Sequence, residues 1–198
     1  MVMIRDWRRN KEMWERVLEK QTNEGLNIWK QRISEASLAS EAELRTWLSV
    51  QGVTGYAQSL LVMERFGYPD FMLATADELI DKQYADRPHL RPIYDAIISL
   101  ATGCGEVVIQ ARRTYVSLVA PRRTFARVQP RRLHVDLGLR LERCREGGRL
   151  EASRIHHTMR VQIALNRRED VDDEVRHWLR QAYAENSGAS SKVHSISL

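Results

Sequence analysis

The chain has 198 residues, 43% apolar and 29% charged, enough to bury a core and unlike an intrinsically disordered chain. No apolar run reaches the ~18–20 residues that span a bilayer, and Arg5 and Asp6 put charge where a secretory leader needs its apolar stretch. Two cysteines, Cys104 and Cys144, are too few for a disulfide framework or a zinc ribbon, so the expectation is a cytoplasmic, reduced protein. The net charge of +5 is uneven: residues 105–169 hold 15 Lys and Arg against 6 Asp and Glu, while residues 1–104 and 170–198 each come to −2. Within that basic third, residues 112–132 contain seven arginines and no acid.

The first hundred residues read as helices. Met13, Trp14, Val17 and Leu18 share an amphipathic spacing, Gly25 breaks the run, and Leu26, Ile28, Trp29 and Ile33 mark a second, shorter helix. Ser40-Glu41-Ala42-Glu43 is a capping box opening a helix with Leu44, Trp47 and Leu48 on one face. Past Gly52 a further helix starts at Thr54 or Gly55, with Ala57, Leu60, Leu61 and Phe66 inward. Thr75-Ala76-Asp77-Glu78 is a second capping box, opening a helix to about Tyr84. Asp86-Arg87-Pro88 marks the seam: a helical module over 1–85, a second domain over 86–186, and a Ser-rich disordered tail over 187–198.

The second domain begins with a helix carrying Pro92 in its first turn and Ile93, Ile97, Ile98 and Leu100 as its buried stripe. From Glu106 the period changes from 3.6 to 2, giving strands over 107–109, 114–119, 124–129, 133–141 and 159–165. Leu133, Val135, Leu137, Leu139 and Leu141 share one face of the clearest strand, and Met159, Val161, Ile163 and Leu165 one face of the last. Asp170 is placed to cap a final helix with Val171, Val175, Trp178, Leu179 and Ala182 inward. The fold class is therefore α+β: a small all-helical module, then helix, five-stranded antiparallel sheet and helix, the sheet's apolar face under the helices.

Arg113-Thr114-Tyr115-Val116-Ser117, Phe125-Ala126, Val128-Gln129-Pro130 and the run Asp136 through Leu141 resemble domain of unknown function 5655, with Trp178-Leu179-Arg180 and Ala182-Tyr183 similar to its closing helix. Upstream, Gly25 and Trp29, Trp47-Leu48 and Gly55-Tyr56-Ala57 are similar to domain of unknown function 4287, with Tyr56 standing where that pattern has His. The resemblance implies a bacterial cytoplasmic protein of two modules and transfers no activity. Fusions of the first family to restriction-type proteins associate it with nucleic acid.

Catalytic constellations find no footing in the sequence. His134, Asp136, His156 and His157 lack metal-ligand spacing, and the adjacent histidines are expected to point their rings apart on a strand. Cys104 reads as a helix-end cysteine with no base fixed beside it. No acid occurs across residues 107–135, and no nucleophile-elbow, Walker A or dinucleotide motif is present. Trp14, Trp29, Trp47 and Trp178 lie on apolar stripes and read as core; Trp7, among Arg5, Arg8 and Arg9, does not. The helices flanking residues 52–55 have helix-turn-helix spacing, but Gln58 and Ser59 are the only base-reading side chains near the second helix's start. The expectation is a non-enzyme with no cofactor and no metal.

What remains is the basic sheet. Alternation turns Arg113, Tyr115, Phe125, Arg127, His134, Asp136, Arg140 and Arg160 to the polar face, flanked by turn residues Arg122, Arg123, Arg131 and Arg132. Guanidinium forks with two aromatic rings on an open sheet suit phosphate pairing and base stacking, so the expected partner is nucleic acid or another polyanion. Arginines converging on a concavity would instead suit a small anion or an acidic protein partner.

Overall fold

A computed structural model describes residues 3–5, 8–142 and 147–188, and the chain divides into two compact units. Trp7, Cys144 and the tail beyond Gly188 lie outside the described residues.

The first unit spans Asp6–Thr75 and contains α1 (Arg8–Thr22), α2 (Leu26–Glu35), α3 (Glu41–Val50), α4 (Gly55–Phe66) and the single turn α5 (Asp70–Leu73). Its core is the set the periodicity selects: Trp14, Leu18, Trp29, Ile33, Leu44, Leu48, Leu60 and Leu61 are all buried, with Trp47 edge-on to Trp29. Phe66, expected inward, is exposed at the end of α4. Ser40 caps α3 by accepting from the Glu43 amide, while the Glu43 carboxylate reaches back to the Ala39 amide. Gly52 then turns the chain at a positive φ of 78°, which a side chain would strain, and Val53 is buried behind it. Gln58, the side chain a DNA-reading helix would present, is spent on this turn: its amide donates to the Arg45 and Val53 carbonyls and to Ser49 Oγ.

Helices α1, α2 and α4 meet at Glu64, whose carboxylate accepts from Lys11 (2.6 Å), Lys30 (2.9 Å) and Tyr68. Burial raises its pKa, but those three hydrogen bonds outweigh burial and hold it at about 2.

The second unit comprises Met1–Arg5 and Ala76–Leu198. After α6 (Ala76–Tyr84) and a 3-10 turn at Pro88–Leu90 come α7 (Arg91–Thr102) and the strands β2 (Val108–Ala111), β3 (Val116–Val119), β4 (Thr124–Pro130) and β5 (Val135–Leu139). Two further strands, β6 (Glu151–Ala152) and β7 (Val161–Leu165), and α8 (Asp173–Ser187) complete it, with β1 (Met3–Arg5) at the opposite edge. Among the described residues the sheet has seven strands in the order β1-β2-β3-β4-β5-β7-β6, rather than the expected five. The two additions are edge strands of three and two residues, too short to show a period. β1 pairs parallel to β2, and all other neighbours pair antiparallel.

Several boundaries move. The division falls between Thr75 and Ala76, ahead of the expected seam at 85/86, because α6 packs on β2 and Gln83 donates to the Arg112 and Tyr115 carbonyls. Asp172, not Asp170, caps α8 by accepting from the Val175 amide, and α8 runs to Ser187, into the segment expected to be tail.

Val116, Leu118, Ala126, Val128, Leu137, Leu139 and Ile163 form the buried apolar face, on which α8 packs across β4 and β5. A register shift opposes Leu118 to Ala126 but Val119 to Thr124, leaving Phe125 as the extra residue of a bulge. The bulge breaks the alternation that would turn Phe125 outward: it is 0% exposed and meets the Tyr183 ring of α8 edge-on at 5.6 Å. On the other face the chain between β6 and β7 folds over Gly138, where a Cβ would lie 2.9 Å from Ile155 Cδ1 and 3.2 Å from Met159 Cγ. Met159, expected on the helix side, is buried here instead, because β7 starts only at Val161.

Two outcomes follow from this packing. Glu64 is stabilised as a carboxylate, so its contribution is full above the unfolded pKa of about 4.5 and is lost as pH falls toward 2. Across that window the parent loses about 3 kcal/mol more than Glu64→Gln, measured by urea unfolding followed by tryptophan fluorescence. Gly138→Ala pushes Ile155 and Met159 off the sheet and costs about 1–3 kcal/mol, read as a lower urea midpoint.

Candidate functional site

The arginines singled out on the sheet and its turns fall into three groups, set by where the strand ends lie. The β3–β4 turn, the end of β5 and the end of α8 meet at one end of the sheet, where the guanidiniums act as ties. Arg123 donates to Asn186 Oδ1 at 2.6 Å and to Glu142, and Asn186 Nδ2 returns a bond to the Arg140 carbonyl at 2.9 Å. Arg140 donates to the Thr158 carbonyl and Arg160 to the Glu142 carbonyl. Arg122 is exposed beside them. Arg123, Arg140 and Arg160 therefore tie side-chain and backbone acceptors together at the sheet end.

In the middle of the polar face, the Arg127 guanidinium lies 4.0 Å from the centroid of the Tyr115 ring, and its Nε is buried. That contact covers a face of the ring that was expected to stack on a base. With Phe125 in the core and Gly138 under Ile155 and Met159, the open aromatic–arginine surface expected from alternation is not formed. His156 and His157 sit in the covering segment, outside any strand, with ring centroids 4.0 Å apart, rather than turned away from each other. Burial together with Arg127, His157 and Arg140 lowers the pKa of His156.

The third group gathers at the opposite end, around the β2–β3 and β4–β5 turns. Residues 85–87, between α6 and the 3-10 turn, form one wall. Arg87 Nη1 donates to the Arg131 carbonyl at 2.9 Å, while its remaining nitrogens grip both Asp86 oxygens at 2.7 Å. Between this wall and the two turns lies a cleft of about 520 Å³ lined by Lys82, Arg87, Arg113, Thr114, Arg131 and Arg132, among others. Five of its side chains are cationic against the single carboxylate of Asp86, which Arg87 already neutralises. Lys82 and Arg132 enter no ion pair among the described residues, and both are exposed.

A second groove, of about 510 Å³, lies on the polar face across the same β4–β5 turn and shares Arg131 and Arg132 with the first. Asp136 is buried at its floor, 4% exposed, and accepts from Arg131 Nε at 2.6 Å and from His134 Nε2 at 3.1 Å. Both carboxylate oxygens are thus occupied, so Asp136 holds the turn in shape. Arg154 and Glu151 line the groove further along, so a second carboxylate shares this face with Asp136. Leu133, expected on the buried face of its strand, stands at the tip of the turn with 69% exposure, because β5 begins only at Val135.

Of the sequence-derived set, the structure brings together Arg113, Arg131, Arg132 and His134. It places Arg122, Arg123, Arg140 and Arg160 at the far end, Tyr115 and Arg127 against each other, and Phe125 in the core. Lys82, Arg87 and Arg154 line the two grooves without having been singled out as binding residues. Of these, only Arg87 carried a local signal, its place in the Asp86-Arg87-Pro88 seam.

No cluster of three or more His, Cys, Asp or Glu that could hold a metal occurs among the described residues. Cys104 bonds the Leu100 carbonyl, and burial raises its thiol pKa. No helix among the described residues is long and apolar enough to cross a membrane. The family described as Domain of unknown function (DUF5655) matches residues 80–186, which begin inside α6 and end inside α8. No curated protein and no solved structure matches the chain.

The Asp136 anchor is directly measurable. Asp136→Asn lowers stability by about 1–3 kcal/mol, since a buried charged acceptor serving two donors is lost. In a double-mutant cycle with Arg131→Ala the coupling energy is about 1–2 kcal/mol, from urea midpoints; a value near zero would show that the carboxylate does not hold Arg131.

Proposed function

The chain belongs to the Domain of unknown function (DUF5655) family, and on that footing we propose a non-catalytic module that binds a phosphate-bearing polyanion, nucleic acid foremost, through its arginine cleft. The observation that carries this reading is the cationic lining of the cleft: Lys82, Arg87, Arg113, Arg131 and Arg132 stand against two carboxylates, Asp86 held by Arg87 and Asp136 held by Arg131. Guanidinium forks suit phosphate oxygens, and concave walls focus their field on an anion. The sheet face first expected to do this is largely spent on packing, so the binding surface moves to the end of the sheet. A cytoplasmic, bacterial setting belongs to the same proposal, as does a kinship of the helical unit with domain of unknown function 4287, which rests on Gly25, Trp29, Trp47-Leu48, Gly55 and Ala57, with Tyr56 departing from the pattern.

Concavity also favours a second reading, a small anion seated in the cleft alone, with an acidic protein segment as its larger counterpart. A salt titration separates them. With labelled single-stranded oligonucleotide, four or five engaged phosphates give a slope of log K against log salt of about −3, whereas one seated phosphate gives a slope of about −0.7. Arg113→Ala with Arg132→Ala weakens binding at least about tenfold at ~50 mM salt, while Arg122→Ala, at the other end of the sheet, changes it less than about twofold. Absence of binding to any anionic probe at that salt retires the cleft as a site.

A further inference from the structure

The exposed Leu133 and the second groove have a use if the ligand crosses the β4–β5 turn. Resting on the cleft reading above, we propose that this turn is a docking tip for single-stranded nucleic acid. One phosphate sits in the cleft by Lys82 and Arg113, another in the groove by Arg154, and a base lies against Leu133 between them. Three observations lead there. The two grooves share Arg131 and Arg132, so cations continue from one to the other without a break. Leu133 is the most exposed large apolar side chain of the described sheet unit, and it stands between those arginines and His134. The turn is rigid, because Asp136 holds Arg131 and His134 from below and Arg87 holds the Arg131 carbonyl from the side.

The pairing of guanidiniums with one apolar side chain is the chemistry of a strand whose charge and base alternate. An extended strand offers both at a spacing of one nucleotide, whereas a stacked duplex hides its base faces. An anionic bilayer would also attract arginines and a leucine, but a flat surface does not reach cations that line two concave grooves. A small anion fills one groove and leaves Leu133 unused.

The test uses the full chain and labelled oligodeoxythymidylates of two and eight nucleotides, a duplex of eight base pairs, inorganic phosphate, and vesicles of phosphatidylserine and phosphatidylcholine. The octamer binds at least about tenfold tighter than the dinucleotide and than the duplex at ~50 mM salt. Leu133→Ser weakens octamer binding about tenfold with the salt slope unchanged, and Arg154→Ala reduces the slope by about 0.7. Both side chains are exposed, so neither variant disturbs the core. If the dinucleotide matches the octamer, or Leu133→Ser binds like the parent, the strand does not cross the turn, and the docking tip is wrong while the cleft stands. Capture by the vesicles with no octamer binding overturns it in favour of a membrane surface. Failure of every phosphate probe, inorganic phosphate included, removes the cleft reading beneath it.

Discussion

A carboxylate buried at 4% exposure on a central strand is the constraint around which the basic end of the sheet is arranged. Asp136 sits on β5 between β4 and β7, where an unpaired charge costs several kcal/mol. Two donors answer it, Arg131 Nε and His134 Nε2, and both come from the turn immediately before the strand. Folding the turn back on its own strand fixes the path of residues 131–134. That path carries Leu133 out to the tip and leaves Arg132 between the two grooves. Charge compensation in the interior and charge display at the surface are thus one arrangement.

The same side-chain type serves two opposite ends. At the β3–β4 end, arginines tie backbone carbonyls and side-chain acceptors, with Arg123 joined to Asn186 and Glu142, Arg140 to Thr158 and Arg160 to Glu142. A planar fork with several donors suits such ties better than a lysine ammonium would. At the β4–β5 end the arginines outnumber the acceptors, and the surplus faces a cleft. Arg87 works in both ways, gripping Asp86 and the Arg131 carbonyl while lining the cleft that this grip encloses.

Packing on the polar face follows from two local departures from strand regularity. The extra residue in β4 turns Phe125 into the helix layer against Tyr183, removing one aromatic ring from the surface. The absence of a side chain at Gly138 admits Ile155 and Met159, which close the face over β5. Together they convert a face that alternation describes as open and polar into one partly covered, with Arg127 folded onto Tyr115.

Much of this was legible in the chain. Trp14, Leu18, Trp29, Leu44, Leu48, Leu60 and Leu61 announce the helical core, because a helix buries one stripe whatever it packs against. Alternation from Val135 to Leu139 and from Val161 to Leu165 announces the sheet, and the missing acids across 107–135 announce the basic third. Periodicity could not see Phe125 or Leu133, since a bulge and a strand start depend on the partner strand's register. Nor could it pair Lys82 and Arg87 with Arg113, Arg131 and Arg132, or set Arg154 across the turn from them. The elements, the core stripes and the charge surplus are local properties of composition and period, and the chain carries them before it folds. Which arginines are spent as ties and which line a cleft is settled on folding, because that depends on where distant carbonyls and carboxylates come to rest.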